Sequence, residues 1–377
     1  MKREEFVNTL NEANWFDLTQ GLSVFTPPWP GEMPLQVHFF KRLTGSYGGG
    51  QGANGQLIEW SNNTGTHLVG PRAFHSGAEA ISDIPLTDLC GEGIVVDISD
   101  AVSDYGLYTP QMITDRVEVK EGDILIINTG YHKYGWDQPD VANPQAQGGI
   151  ENKEFGYYLR HPGPSPDFFE WALQMKLRLV GVDCGSAEHP MNTNLRTMPA
   201  REFEKAEEKL QETHGKTWDE LYPPEWYHEL THITMPKAGL LLAESLGGQI
   251  DELSNQRAWI MIQPIPFMET DSAWCRAAAL QAPEGMEEGE VAQEAVVLAD
   301  LRQGKGPGET FEDDVPLTEA DALWCSGGPR GVHHGGEVVD PLSPAPLLQL
   351  GGGDLRRTCQ QVLERNDVAG RSSRGLE

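Results

Sequence analysis

The segment Asn63-Thr64-Gly65-Thr66-His67-Leu68-Val69-Gly70-Pro71-Arg72-Ala73-Phe74-His75 gathers small residues and ring nitrogens in one place. Glycine and threonine let a backbone approach a ligand closely, and His67 adds an imidazole at the same point. The same residue types build ordinary turns, so the segment gains meaning only from its context. A second cluster, Asp183-Cys184-Gly185-Ser186-Ala187-Glu188-His189-Pro190-Met191-Asn192, follows an apolar, strand-like run. α/β proteins tend to place function at such ends, and Asp183, Cys184 and His189 are ligand or proton-carrier types that also satisfy turns. Further along stand Tyr227-His228-Glu229, His232 and Glu244. Histidine with carboxylate is the donor set of divalent metals that activate water. His232 and Glu244 form the best ligand pair outside the first segment, with His228 taking the place of His232 if the intervening chain shifts register. Trp29, set between prolines, suits the edge of a pocket for a flat or ring-shaped molecule.

These residues need elements to position them. Residues 93–98, 123–128, 177–183 and 258–262 are short, apolar and β-branched, and read as buried strands. A helix opens at Ser165-Pro166-Asp167, with Phe168, Phe169, Ala172 and Leu173 as its apolar stripe. Residues 237–246 fit a second helix, which would carry Glu244. This alternation points to an α/β domain over residues 1–282. Within it, residues 199–227 read as an insertion, an exposed charged helix or an arm to a partner. From residue 283 to 377, Gly and Pro are dense and apolar periodicity is poor, so the sequence reads as an atypical extension, either loosely ordered or folded against the core, in which His333-His334 is idle. Gly48-Gly49-Gly50-Gln51-Gly52 lacks a preceding buried strand and a following Lys-Ser/Thr pair, and reads as a loop rather than a phosphate cradle.

Asp and Glu outnumber Lys and Arg 57 to 28, a formal charge of −29 that argues against nucleic-acid and anionic-membrane partners. No apolar run approaches the roughly 18 residues of a membrane span. Five cysteines without paired spacing suggest a reduced, cytoplasmic setting.

The first segment resembles the signature of the cyclase and kynurenine formamidase-like metal-dependent hydrolases, His-x-Gly-Thr-His-x-Asp-x-Pro-x-His. Other landmarks follow in family order: Asp17-Leu18-Thr19 with Pro28-Trp29-Pro30-Gly31, Lys120-Glu121-Gly122-Asp123, His161-Pro162-Gly163-Pro164 with Gly181-Val182-Asp183, and finally His232, Gly239 and Glu244. The resemblance implies a swivelling β/β/α fold and metal-assisted hydrolysis of a C–N bond in a small amide, cyclic amide or N-formyl compound. It also implies a homodimer or larger assembly. Three signature ligands are replaced, by Asn63, Val69 and Ala73. An aliphatic side chain cannot bind a metal, so a single Mn²⁺ or Zn²⁺ held by His67, His232 and Glu244 is expected rather than two ions. His75, His189 and Asp183 are then the candidates for general base or extra ligand, and Trp29, Thr66 and Asn63 for substrate contact. Two other readings stay open. One is a cyclase, lyase or isomerase using histidine acid–base chemistry, and the other a metal-free pseudoenzyme that binds a small molecule.

Overall fold

A run such as Ile124-Leu125-Ile126-Ile127 is apolar on both faces and must lie where both faces are covered. The computed structural model describes residues 3–41, 52–135, 155–197 and 200–282. All of these fall in the first of two units, Met1–Gly308, the second being Glu309–Glu377. The C-terminal extension, His333-His334 and most of the glycine run near residue 50 lie outside the described residues.

The strands are β1 (Asn14–Asp17), β2 (Gln36–Lys41), β3 (Gly55–Glu59), β4 (His67–Val69), β5 (Cys90–Asp97), β6 (Leu107–Tyr108), β7 (Ile124–Asn128), β8 (Gly163–Pro164), β9 (Leu179–Val182), β10 (Leu241–Glu244), β11 (Gln256–Pro264) and β12 (Ser272–Gln281). Eight of them form one sheet in the order β1-β12-β11-β5-β7-β9-β10-β4, and β4 also pairs with β12. That last pairing closes the sheet into a ring, with β1 attached outside it. Strands β5, β7, β9 and β10 run parallel, whereas β4, β11 and β12 pair antiparallel. The fold is α/β, as the sequence predicts.

Strand alternation sorts the side chains into two cores. Leu68, Val95, Ile124, Ile126, Leu179, Ala243, Ile260, Ala273 and Ala277 fill the interior of the ring. Their neighbours Val69, Ile94, Val96, Leu125, Ile127, Val180, Val182 and Leu242 face outward. There they meet Phe168 and Ala172 of the helix Pro166–Gln174, and Met235. Each fully buried Val, Leu, Ile or Phe among them contributes about 1.5–3 kcal/mol, so a register slip in any ring strand would be severe.

Two expectations are corrected. Residues 237–246 are not a helix: only Met235–Lys237 is helical, and Leu241–Glu244 is strand β10. Gly239, at φ +83°, turns the chain out of the helix, and β10 then pairs with β9 on one side and β4 on the other. The helix Ala200–His214 is not a free charged arm. Its Ala206 and Leu210 pack with Trp218, Tyr222, Leu230 and Met191, and its buried Glu202 accepts hydrogen bonds from Arg160, Lys205 and Tyr105.

The landmark Lys120-Glu121-Gly122-Asp123 acquires a structural reason. Asp123 is 3% exposed, accepts the Lys120 amide at 2.7 Å, and takes both arms of Arg257 from β11 at 2.6 and 2.9 Å. Removing one partner of a buried bidentate pair leaves the other charge stranded. Asp123→Asn is expected to lower the free energy of unfolding by about 2–4 kcal/mol, measured by urea denaturation. A loss below about 0.5 kcal/mol would show that the pair is not structural.

Candidate active site

His67 opens β4 and pairs with Glu244, the last residue of β10. Strand alternation puts His67 and Val69, Leu242 and Glu244 on the outer face of the ring. Gly65, at φ +77°, makes the turn into β4, and a methyl group there would meet Leu22 at 2.1 Å. The third member comes from a different element. His232 lies in a single π-helical turn, Glu229–Thr234, a geometry that recurs at functional positions.

The Glu244 carboxylate is shared by everything around it. Its Oε1 accepts the Ala187 amide at 2.6 Å and the Ser186 hydroxyl at 3.3 Å, and contacts His232 Nε2 at 3.0 Å. Its Oε2 lies 3.3 Å from His67 Nε2. Burial alone would raise the Glu244 pKa, but the charges and hydrogen bonds of His232 and His67 outweigh it and hold the carboxyl far below its ordinary range. In the same way, burial opposes protonation of His232, yet Glu244 and Glu188 together raise its pKa.

The far side of each ring fixes its tautomer. His67 Nδ1 lies 2.9 Å from the Gly65 carbonyl, which can only accept, so Nδ1 carries a proton. Thr231 donates its hydroxyl to Glu188 at 2.8 Å, and its oxygen therefore accepts from His232 Nδ1 at 3.0 Å. Both rings thus turn Nε2 toward a carboxylate that offers only lone pairs. Each Nε2 must either be protonated or share a cation with Glu244. By donor chemistry the three residues fit a divalent cation. Their spacing is that of a hydrogen-bonded triad, and among the described residues no group of three or more His, Cys, Asp or Glu is arranged around a metal position.

The triad forms one wall of a cavity of about 210 Å³, also lined by Trp29, Glu32, Asn63, Val69, Ala73, Phe74, Asn194, His228 and Ser272. Of the residues expected from sequence, the cavity brings together His67, His232, Glu244, Asn63 and Trp29. Asn63 donates to Glu32 Oε1 at 3.3 Å, and Trp29 packs edge-on to Tyr158. His228 sits at φ +60°, its Nδ1 is buried without a hydrogen-bond partner, and its ring lies against Phe74 and His232. Burial and the neighbouring His232 lower its pKa to about 4.

The structure places the other expected residues elsewhere. Thr66 donates to the Ser245 carbonyl at 2.5 Å and accepts the Gln20 amide at 2.9 Å, so its hydroxyl is consumed in the fold. His75 does not reach the cavity. Its Nε2 lies 3.0 Å from the Ile233 carbonyl, in a separate pocket with Pro236 and Lys237. His189 accepts the Met191 amide through Nδ1 and is packed beside Trp218 and Tyr222; burial lowers its pKa to about 3. Asp183 binds Thr129 and His132 rather than the triad. Sequence reasoning missed Glu188 as the anchor of His232 through Thr231, and Ser186 and Ala187 as the cradle of Glu244. All three lie in the cluster after β9 that the sequence had marked, but on its less conspicuous residues.

Residues 16–189 match the family model described as "Putative cyclase". This part of the chain is therefore similar to the cyclase family. It is 22% identical over 181 residues to kynurenine formamidase of Bacillus mycoides, covering 48% of this chain and 72% of that protein. The Bacillus cereus kynurenine formamidase is 26% identical over the same length. Isatin hydrolase A from Labrenzia aggregata, bound to benzyl benzoate, shares the fold at a TM-score of 0.54 and 17% identity, covering 74% of this chain and 98% of that one. Asn63, Val69 and Ala73, the positions at which the sequence departs from the signature it resembles, all line the cavity.

Asp183 and His132 make a second buried ion pair, His132 Nδ1 to Asp183 Oδ2 at 2.8 Å, with Asp251 at 3.4 Å from the other ring nitrogen. Burial disfavours charge on both. Their mutual attraction wins, so the His132 pKa is raised and the Asp183 pKa lowered. The His132 contribution to stability is fully present below its unfolded value of 6.5 and is lost as pH rises through the raised folded value. The Asp183 contribution is present above its unfolded value of 3.8 and fades as pH falls through the lowered folded value. His132→Gln should therefore lower Tm more at pH 5.5 than at pH 9. An equal loss at both pH values would show that the pair is not charged.

Proposed function

We propose that this protein hydrolyses a C–N bond of a small amide, cyclic amide or N-formyl compound in the cavity beside Glu244, with one divalent cation, Mn²⁺ or Zn²⁺, held by His67, His232 and Glu244. The observation that carries this reading is the convergence of two imidazole Nε2 atoms, each with its Nδ1 proton already committed, on one buried carboxylate. Kinship with proteins named kynurenine formamidase supports the reaction class.

A divalent cation bound there supplies a Lewis acid that activates water and polarises an amide carbonyl. The chain's own residues do the rest. Glu188, through Thr231, holds the His232 ring in one tautomer and one orientation. Ser186 and Ala187 hold Glu244 from behind. Trp29 and Phe74 offer apolar walls for a flat group, and the His228 ring completes the lining beside Phe74. His75 and Asp183 are bonded elsewhere and His189 is packed beside Trp218 and Tyr222 away from the cavity, so none of the three is assigned a part in the reaction.

A second reading has its own support. The three residues touch in pairs at 3.0 and 3.3 Å, the geometry of a protonated His–Glu–His system that could move protons without a metal, as a cyclase, lyase or isomerase would need.

Metal analysis of the purified protein separates the two. The hydrolase reading expects close to one equivalent of Mn or Zn, lost in His67→Ala and Glu244→Gln, with hydrolysis of an N-formyl arylamine falling by roughly 10²-fold or more in both variants. Full activity in excess chelator would favour the proton-transfer reading.

A further inference from the structure

Resting on the amidohydrolase reading, we infer that the cavity selects substrates whose recognition end carries no negative charge, neutral or cationic flat aryl amides, and that Glu32 sets this preference.

The lining residues decide it. Among the described residues around the cavity there is no lysine or arginine, while two carboxylates, Glu32 and Glu244, face it. Glu244 has the imidazoles of His67 and His232 against it. Among the described residues no lysine, arginine or histidine is paired with Glu32. Its carboxylate accepts from the Ser61 hydroxyl at Oε2 and from the Asn63 amide at Oε1, both neutral donors. These bonds fix the carboxylate in place on the wall that includes Trp29 and Asn63.

A substrate carboxylate brought to that wall would be stripped of water beside a fixed like charge with no cation to receive it. Desolvation and repulsion add, and inside a low-dielectric cleft both are costly. An ammonium group meets the opposite situation, an oriented carboxylate with lone pairs to spare and the faces of Trp29 and Phe74 nearby. A neutral ring suffers neither effect and gains the aromatic contact. A cation at the triad does not change this order, because it lies at the reacting end and shares its charge with Glu244.

The test uses three compounds that differ only in a para substituent, so that the substituent stays away from the triad: formanilide, 4-formamidobenzoate and 4-(aminomethyl)formanilide. Binding to the full chain is measured by calorimetry, and turnover by formate release. The inference expects formanilide and the aminomethyl compound to bind at least tenfold more tightly than the benzoate. It also expects Glu32→Gln, whose amide oxygen still accepts from Asn63 while its N–H can be taken by the Ser61 hydroxyl oxygen, to reduce the difference to within about threefold. Equal binding of benzoate and formanilide by the wild-type protein would overturn it, as would full discrimination in Glu32→Gln. So would the failure of formanilide and its aminomethyl derivative to bind at millimolar concentration. If the binding order holds but none of the three is hydrolysed, the charge preference stands and the amidohydrolase reading falls.

Discussion

The Glu244 carboxylate has four neighbours and two oxygens, and the geometry of the site follows from that crowding. It ends a parallel strand, so the chain after β9 reaches it from one side with the Ala187 amide and Ser186 hydroxyl. Antiparallel pairing with β4 puts His67 directly across from it. The remaining direction is open to the cavity, and there the π-helical turn delivers His232. A buried carboxylate without such partners would be protonated or excluded. Ring closure by β4, the loop after β9 and the turn at Glu229–Thr234 therefore converge on one electrostatic requirement.

That requirement extends one step further. His232 keeps its orientation only because Thr231 accepts from its Nδ1, and Thr231 can accept only because its own proton goes to Glu188. Glu188 is fully buried, which raises its pKa, while the nearby His232 and the Thr231 donors pull it back. Two buried carboxylates thus bracket one imidazole, one in contact and one through a hydroxyl. Such a chain fixes proton positions more firmly than either contact alone. The strained backbone at His228, just before the turn, is consistent with a segment held in place by its contacts rather than by its own preference.

Much of this was legible in the sequence where local pattern decides the outcome. The β-branched runs at residues 93–98, 123–128, 177–183 and 258–262 became strands β5, β7, β9 and β11, because an apolar run of that length has few other places to go. Residues 237–246 misled because Leu-Leu-Ala-Glu suits helix and buried strand equally, and only pairing with β4 and β9 settles it. The site shows the same division. His67, His232 and Glu244 were readable as donor types in a family order. That Thr66, His75 and Asp183 are bonded elsewhere, and that His189 is packed against Trp218 and Tyr222, was not, because the partners Ser245, Ile233, His132 and these rings are brought in by tertiary packing. The helix at residues 200–214 looked free for a related reason, since its charges suggest solvent while Glu202 meets Arg160 from 42 residues away.

The replaced signature positions gain a physical reading from the two-core arrangement. Val69 belongs to the outer core with Leu242 and Val182, and also touches the cavity. A carboxylate at that position would bring a charge to the margin of an apolar layer and need a cation to neutralise it. Valine continues the layer instead and needs nothing. Ala73 packs against the same core and leaves room that Phe74, His228 and His232 share through ring contacts. Val69 and Ala73 therefore give this side of the cavity an apolar wall that offers no donor to a ligand. Among the described residues lining the cavity, the cationic side-chain types are the imidazoles of His67, His232 and His228, and burial with the neighbouring His232 lowers the His228 pKa to about 4. The fixed carboxylate of Glu32 then dominates the electrostatics of the opposite wall.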